Sequence, residues 1–279
     1  MATRTARRRT GRSARSTGRR AANSDGMRWL ARAGLAARGV MYVIIGWIAG
    51  QVAFDHSSRQ ADRTGALHAI SATPVGGVLL WLLVVGFIGM ALWRLSEAIY
   101  GSPGSGGQKA GTRLAALARA VFYGVVAYGV LKYALGTGGP QSSDKQSVDL
   151  TATLLKYPGG QVLVVVIGLA FVGGGIHLAY QAWQEKFRKE LELGQMRART
   201  RRIVEWLGKF GGIARGTVFT TAGIFLVVAA VQAKPQQAKG VDSALRALTS
   251  TPLGPLLLVL VAIGLIMFGL FSFCQARWP

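Results

Sequence analysis

The stretch "WLARAGLAARG" at residues 29–39 recurs, with small changes, as "WLGKFGGIARG" at residues 206–216. Each copy carries a basic residue and an arginine six positions later, and an aromatic residue follows four positions after that arginine. The middle of the chain repeats this spacing. The three sets are Arg32, Arg38 and Tyr42; Arg113, Arg119 and Tyr123; and Lys209, Arg215 and Phe219. Recurrence at intervals of about 80 to 95 residues predicts three copies of one structural unit.

A second pattern follows the first in every unit. A proline is followed by a glycine two positions later and by Glu-Ala or Gln-Ala beginning 23 positions later. The three sets are Pro74, Gly76 and Glu97; Pro158, Gly160 and Gln181; and Pro252, Gly254 and Gln275. Proline suits the first turn of a helix, where its missing N–H has no partner to lose. Each unit therefore contains two helices.

Apolar residues make up 51% of the 279 residues and are gathered in long blocks. The blocks span residues 33–54, 75–93, 114–135, 160–182, 211–233 and 253–276. Each is about 20 residues long, which is the length a helix needs to cross a ~30 Å hydrocarbon layer. The sequence thus predicts an all-α, polytopic membrane protein with six transmembrane helices.

Two crossings per unit return the chain to the same side, so successive units enter the membrane in the same orientation. We expect three parallel helical-hairpin repeats in a pseudo-threefold arrangement. The predicted division is a disordered basic cytoplasmic tail (1–27), repeat 1 (28–100), a flexible linker (101–111), repeat 2 (112–183), a charged cytoplasmic helix or linker (184–205) and repeat 3 (206–279).

The formal charge of +22 is distributed unevenly along the chain. Arginines crowd before the first apolar block, and a second basic group lies between the fourth and fifth blocks. This asymmetry predicts cytoplasmic N- and C-termini in a bacterial plasma membrane and argues against nucleic acid as the partner. The acid-poor, Arg- and Ser-rich beginning also fits a mitochondrial transit peptide, a less favoured alternative.

Few residues suit catalysis or cofactor binding. Cys274 is the single cysteine, so neither a disulfide within the chain nor a thiolate metal cluster can form. His177 has no second histidine in a predicted span with which to ligate haem. The glycine-rich stretch at 101–112 lacks the ending of a phosphate-binding loop. We expect neither an enzyme nor a bound cofactor.

The repeated arginines are the candidate functional residues. Arg38 lies about 6 Å inside the hydrocarbon layer if the outer end of its helix reaches the interface, and a cation there must snorkel, pair or line a hydrated cavity. One interpretation is that the three arginines anchor helix ends at phosphate level. The other is an inward-facing polar ring that binds an anionic lipid headgroup or lines a vestibule. Its members would be Arg38, Arg119 and Arg215 with Glu97, Gln181 and Gln275.

The remaining loops carry two further helix predictions. A short amphipathic stretch precedes each proline, which predicts one short interfacial helix per repeat with Asp149 and Asp242 as N-caps. The charged stretch between repeats 2 and 3 is helical in composition, has Glu185 placed to pair with Lys189, and is expected to continue the fourth spanning helix.

The repeated Arg/Lys-x5-Arg pattern, the Pro-x-Gly and the closing Glu/Gln-Ala resemble the bacterial membrane family catalogued as domain of unknown function 1206, over residues 29–277. The resemblance implies three two-helix modules and supplies no activity. The favoured function is a non-catalytic scaffold, accessory subunit or anionic-lipid-headgroup binder. Its partners would be the lipid bilayer and an unidentified membrane protein. The alternative is a small channel or transporter along the pseudo-threefold axis.

Overall fold

The structure is a computed structural model that describes residues 25–55, 60–101, 110–137, 141–191, 193–248 and 254–278. These residues form nine α-helices and three short 3-10 turns. The helices are α1 (Asp25–Asp55), α2 (Arg63–Ser71), α3 (Gly76–Tyr100), α4 (Ala110–Ala134), α5 (Ser143–Leu155), α6 (Gly160–Trp183), α7 (Ala198–Val231), α8 (Val241–Leu248) and α9 (Gly254–Arg277). Each repeat is therefore one long, one short and one long helix.

Six of these helices confirm the predicted transmembrane spans. α1, α3, α4, α6, α7 and α9 are all long and apolar enough to cross a membrane. We call the side on which α1 begins and α9 ends the basic side, and the opposite side, with the three short helices, the short-helix side. Most of the predicted tail at 1–27 and of the linker at 101–111 lies outside the described residues, although α1 already begins at Asp25.

The charged stretch between repeats 2 and 3 does not continue the fourth spanning helix as expected. α6 ends at Trp183, and the backbone of Glu185 turns to a φ of 54°. Two 3-10 turns follow, Lys186–Glu190 and Leu193–Gln195, before α7 begins. The Glu185 carboxylate bonds to Arg188 and lies 3.7 Å from the Lys209 ammonium, so it ties the turn to α7.

The long helices pack in a fixed order. Between repeats, α3 packs on α4, α6 on α7, and α9 on α1. Within repeats, α1 packs on α3 and α7 on α9, whereas in the described part of repeat 2 α4 and α6 form no comparable contact. A threefold rotation would relate these pairs to one another, with the α4–α6 pair as the departure. The pseudo-threefold arrangement itself stays a prediction.

Small residues allow the backbones of neighbouring repeats to approach closely. A Cβ on Gly175 of α6 would lie 2.6 Å from the carbonyl oxygen of Gly216 on α7. A Cβ on Gly39 of α1 would lie 2.9 Å from the carbonyl oxygen of Gly269 on α9. In membranes, where lipid tails are as apolar as leucine, such close packing is a main source of helix association. Close glycine contacts of this kind occur at two of the three interfaces between repeats, namely α6 with α7 and α9 with α1.

The three short helices exist as predicted, but their caps differ from the prediction. Ser142 caps α5, and Asp149 lies in the middle of that helix. Asp242 lies inside the first turn of α8 and accepts no hydrogen bond from that turn among the described contacts. The distance from cap to proline differs between repeats, because the short helices have 9, 13 and 8 residues.

Instead, each repeat offers a carboxylate to the start of a short helix in another repeat. Asp62 accepts the N–H of Ser143 at 2.7 Å, and Asp144 accepts the N–H of Gly240 at 2.7 Å. Asp242 completes the cycle by accepting the N–H of Ala61 at 2.7 Å. We call Asp62, Asp144 and Asp242 the aspartate ring. It links repeat 1 to 2, 2 to 3 and 3 to 1 on the short-helix side.

Asp62 and Asp242 of the aspartate ring are buried, and Asp144 is half-buried. Asp62 is 1% exposed, and its carboxylate also accepts the N–H groups of Thr64 and Gly65 as the cap of α2. Burial lowers the pKa of the adjacent Arg63, although the charge of Asp62 acts in the opposite direction. A buried carboxylate that serves three backbone donors leaves all three unsatisfied when it is removed.

We predict that Asp62→Ala lowers the free energy of unfolding by about 2–4 kcal/mol, because buried N–H groups lose their acceptor. The measurement is the thermal unfolding midpoint of the detergent-solubilised protein, followed by tryptophan fluorescence. Asp149→Ala is the matched control, since that side chain is exposed and lies outside the ring. Equal midpoints for the two variants would contradict the structural role of the ring.

Candidate functional site

Arg38 lies inside the bundle, 8% exposed, on the α1 face that packs against α9. Its Nε donates to the hydroxyl of Ser272 at 3.1 Å, and its Nη2 donates to the amide oxygen of Gln275 at 2.6 Å. The guanidinium carbon also lies 5.2 Å from the ring centroid of Phe268. The partners of this arginine among the described residues are therefore neutral.

Arg215 of α7 approaches the same aromatic ring from another helix. Its guanidinium carbon lies 4.9 Å from the centroid of Phe268, 5.4 Å from that of Phe219 and 5.9 Å from that of Tyr42. Its Nε is shielded from solvent and has no hydrogen-bond partner within the described part of the chain. Aromatic faces attract a cation by about 0.5–2 kcal/mol each, but they do not neutralise it.

Tyr123 of α4 contributes a side chain from repeat 2 to the same site. Its side chain is buried and lies within electrostatic range of both Arg38 and Arg215, with its hydroxyl directed towards Arg38. Tyr42 packs edge-on against Phe268 with ring centroids 4.8 Å apart. We call Arg38, Arg215, Tyr42, Tyr123 and Phe268 the arginine cluster. It gathers side chains from all three repeats.

Charge balance sets this cluster apart from an ordinary ion pair. Glu97, which stands at the position equivalent to Gln275, is 8% exposed and bonds to Arg94 at 2.7 Å. In the described residues no carboxylate bonds to Arg38 or Arg215. A buried charge without an opposite charge is costly in protein or lipid. The cluster therefore carries a net positive charge that destabilises the bundle unless an anion compensates it.

The structure brings together some of the sequence-predicted site residues and separates others. Arg38, Arg215 and Gln275 lie at or beside the arginine cluster. Arg119 is exposed on α4. Gln181 is bonded to His177 at 2.7 Å, near the basic-side end of α6. Glu97 is bonded to Arg94 on its own helix. Two of the three repeated arginines thus face inward, and the third does not.

The sequence patterns contained part of the signal for the residues that the prediction missed. Tyr42 and Tyr123 occupy the aromatic position of the repeated motif, four residues after the arginine. Ser272 and Phe268 could not be found in that way. Counting from the prolines, the residues that replace Ser272 in repeats 1 and 2 are Arg94 and Leu178, so no repeated position marked it.

Apolar side chains fill the interior between the cluster and the short-helix side. Ile48, Val130 and Leu258 are at most 1% exposed and come from three of the spanning helices. On the basic side, the leading basic residue of repeat 2 bonds to the end of a helix in the preceding repeat. Arg113 donates to the carbonyls of Ala98 and Ile99 at the end of α3. Within the described parts of the spanning helices, the buried polar side chains Arg38, Glu97 and Ser272 therefore lie in the half nearest the basic side.

Fold and site together define a multi-pass helical membrane protein of three two-helix repeats with a cationic interior site. The family described as Domain of Unknown Function (DUF1206) matches residues 33–101, 114–185 and 210–279. "Uncharacterized protein YxxB" of Bacillus subtilis (strain 168) is 30% identical over 243 residues, 86% of this chain and 87% of that protein. No solved structure matches the chain. The chain belongs to the DUF1206 family.

We predict opposite effects for the two inward arginines on stability. Arg215→Met removes an uncompensated charge and should raise the free energy of unfolding of the delipidated protein by about 1–3 kcal/mol. Arg38→Met removes donors to Ser272 and Gln275 and should lower it by about 1 kcal/mol. Thermal unfolding in neutral detergent checks both, and a fall of similar size for Arg215→Met would show that this charge is already balanced.

Proposed function

We propose that the protein is a non-catalytic membrane protein that binds the anionic headgroup of a lipid at the arginine cluster. The observation that carries the proposal is the pair of inward guanidinium groups that share the ring of Phe268 without a carboxylate. An anion at this site would supply the missing opposite charge, and phosphate matches the fork geometry of guanidinium donors.

The depth of the site agrees with a lipid ligand. Arg38 and Arg215 lie in the half of the bundle nearest the basic side, some turns inward from the helix ends, close to where headgroup phosphates meet the hydrocarbon. Basic residues near the membrane surface attract anionic lipid by about 1 kcal/mol each. Arg199 and Arg202, exposed at the start of α7, would add such attraction without forming a site.

The alternative of a channel has less support. A conducting path would have to pass Ile48, Val130 and Leu258, which are buried among apolar neighbours on the way to the short-helix side. The aspartate ring and the short helices lie beyond them. These features favour a site that holds a ligand over one that conducts it.

Anionic lipid that remains bound after gentle purification tests the proposal. We predict that the double variant Arg38→Gln and Arg215→Gln retains about tenfold less phosphatidylglycerol than the unmodified protein in native mass spectrometry. Arg199→Gln with Arg202→Gln is the charge-matched control and should retain nearly the full amount, because both side chains are exposed. Equal losses in the two double variants would reduce the binding to general surface attraction and overturn the proposal.

We further propose that the basic side faces the cytoplasm, with both chain ends there. The support is the concentration of arginine and lysine before α1 and between α6 and α7. With this orientation the arginine cluster would meet the inner leaflet.

The orientation predicts which engineered cysteine a membrane-impermeant maleimide can reach. In a Cys274→Ser background, Gln141→Cys should be labelled in intact bacterial cells, and Arg199→Cys should be labelled only after the membrane is opened. Both positions are exposed, one on each side of the bundle. The reverse labelling pattern would show that the basic side faces outward.

A further inference from the structure

Arg38 and Arg215 lie at equivalent contacts between spanning helices. A glycine follows each arginine, and its Cβ would lie 2.9 Å from the carbonyl oxygen of Gly269 in the first case and 2.6 Å from that of Gly175 in the second. Counting from the prolines, Gly269 and Gly175 occupy the same position of their repeats. The residues opposite Arg38 on α9 therefore correspond one to one with the residues opposite Arg215 on α6.

The two acceptors that hold Arg38 have no working counterparts opposite Arg215. Leu178 and Gln181 stand in the places of the serine and the glutamine that accept from Arg38. Leucine has no acceptor, and the amide of Gln181 is bonded to His177. The Nε of Arg215 has no hydrogen-bond partner in the described ranges of the chain. The sequence of repeat 2 therefore leaves this donor unmet by the protein.

The fixed charges of the arginine cluster sum to two positive charges. Arg38 and Arg215 contribute one each, and no carboxylate of the described residues bonds to either. Arg94 also lies within electrostatic range of Tyr123, but its pair with Glu97 adds no net charge. A phosphate diester carries one negative charge and would leave one positive charge uncompensated. A phosphate monoester carries a charge of about −1.5 to −2 near pH 7 and would compensate both.

Two tyrosine hydroxyls add hydrogen-bond donors at the same place. The hydroxyl of Tyr42 faces the guanidinium of Arg215, and that of Tyr123 faces Arg38. Because a guanidinium has donors and no acceptor, each tyrosine oxygen can only accept from it, which leaves the hydroxyl hydrogen for another acceptor. Arg215 and Tyr42 are half-buried, so part of each side chain remains accessible to a ligand. A phosphate monoester offers three terminal oxygens to these donors, whereas a diester offers two.

We propose that the headgroup bound at the arginine cluster is a phosphate monoester, as in phosphatidic acid, and that the hydroxyls of Tyr42 and Tyr123 donate to it beside the two guanidinium groups. This inference rests on the proposed function and adds the ligand class. Phosphatidylglycerol, a diester, uses the same donors and binds more weakly, because half of the site's charge stays uncompensated. Inorganic phosphate carries the same charge as the monoester, so the lipid and the free ion have to be distinguished by experiment.

Lipid titrations of the delipidated protein at about pH 8, followed by native mass spectrometry, test the ligand class. Phosphatidic acid is compared with phosphatidylmethanol of the same acyl chains. The two lipids differ by one methyl group on the phosphate, so the contacts of the chains are matched and the headgroup charge changes. We expect phosphatidic acid to bind about tenfold tighter, because its second negative charge compensates the second guanidinium.

Variants of Arg215 connect the preference to the site. Arg215→Gln removes one of the two positive charges, and we expect it to bind the two lipids within about twofold of each other. Arg215→Lys keeps the charge and should keep most of the preference, so that charge is distinguished from misfolding as the cause of a loss. Arg199→Gln is the matched control, because that arginine is exposed on the same helix, and it should keep the full preference. An unchanged preference in Arg215→Gln would overturn the inference.

The same titrations separate the ligand class from the proposed function. Equal affinity for the two lipids, lost in the double variant Arg38→Gln and Arg215→Gln, would reject the monoester and keep the headgroup site. Equal binding of both lipids to the double variant and to the unmodified protein would reject both. Displacement of phosphatidic acid by about 1 mM inorganic phosphate would assign the site to a soluble phosphate and reject a lipid ligand.

Discussion

The structure depends on a cyclic exchange of hydrogen bonds between repeats. The carboxylates of Asp62, Asp144 and Asp242 each accept the N–H groups that begin a short helix in another repeat. Helix N-termini carry unsatisfied donors and partial positive charge, so a carboxylate is the natural partner there. Because every repeat both donates and accepts, each repeat is hydrogen-bonded to both of the others on the short-helix side.

The arginine cluster also joins side chains of different repeats, here between the membrane-spanning helices. Arg38 is placed by α1, but its acceptors Ser272 and Gln275 belong to α9. Arg215 is placed by α7 and contacts Tyr42 of α1 and Phe268 of α9. A pattern repeated three times therefore produces unequal surroundings, since each copy meets a different neighbour. The open α4–α6 contact is the largest such inequality.

Sequence periodicity was enough to predict the helices, whose existence depends on a single segment of the chain. Six apolar blocks, three motifs and three prolines led to the six spans and the three short helices, because length and spacing are properties of one helix. The contacts between residues of different repeats could not be predicted in this way. Asp149 was expected to be the cap, but Ser142 is, because the sequence did not give the length of the short helix. Arg119 resembled Arg38 in sequence although only Arg38 of the two is buried.

The adjacency of the first and last spanning helices has a consequence for biogenesis. Arg38 enters the membrane with α1, while its acceptors lie 234 and 237 residues later in the chain. During synthesis its guanidinium must stay with water, headgroups or the insertion machinery until α9 arrives. The bundle therefore closes only when translation is nearly complete, and a nascent chain that stalls before α9 exposes a cation within the bilayer.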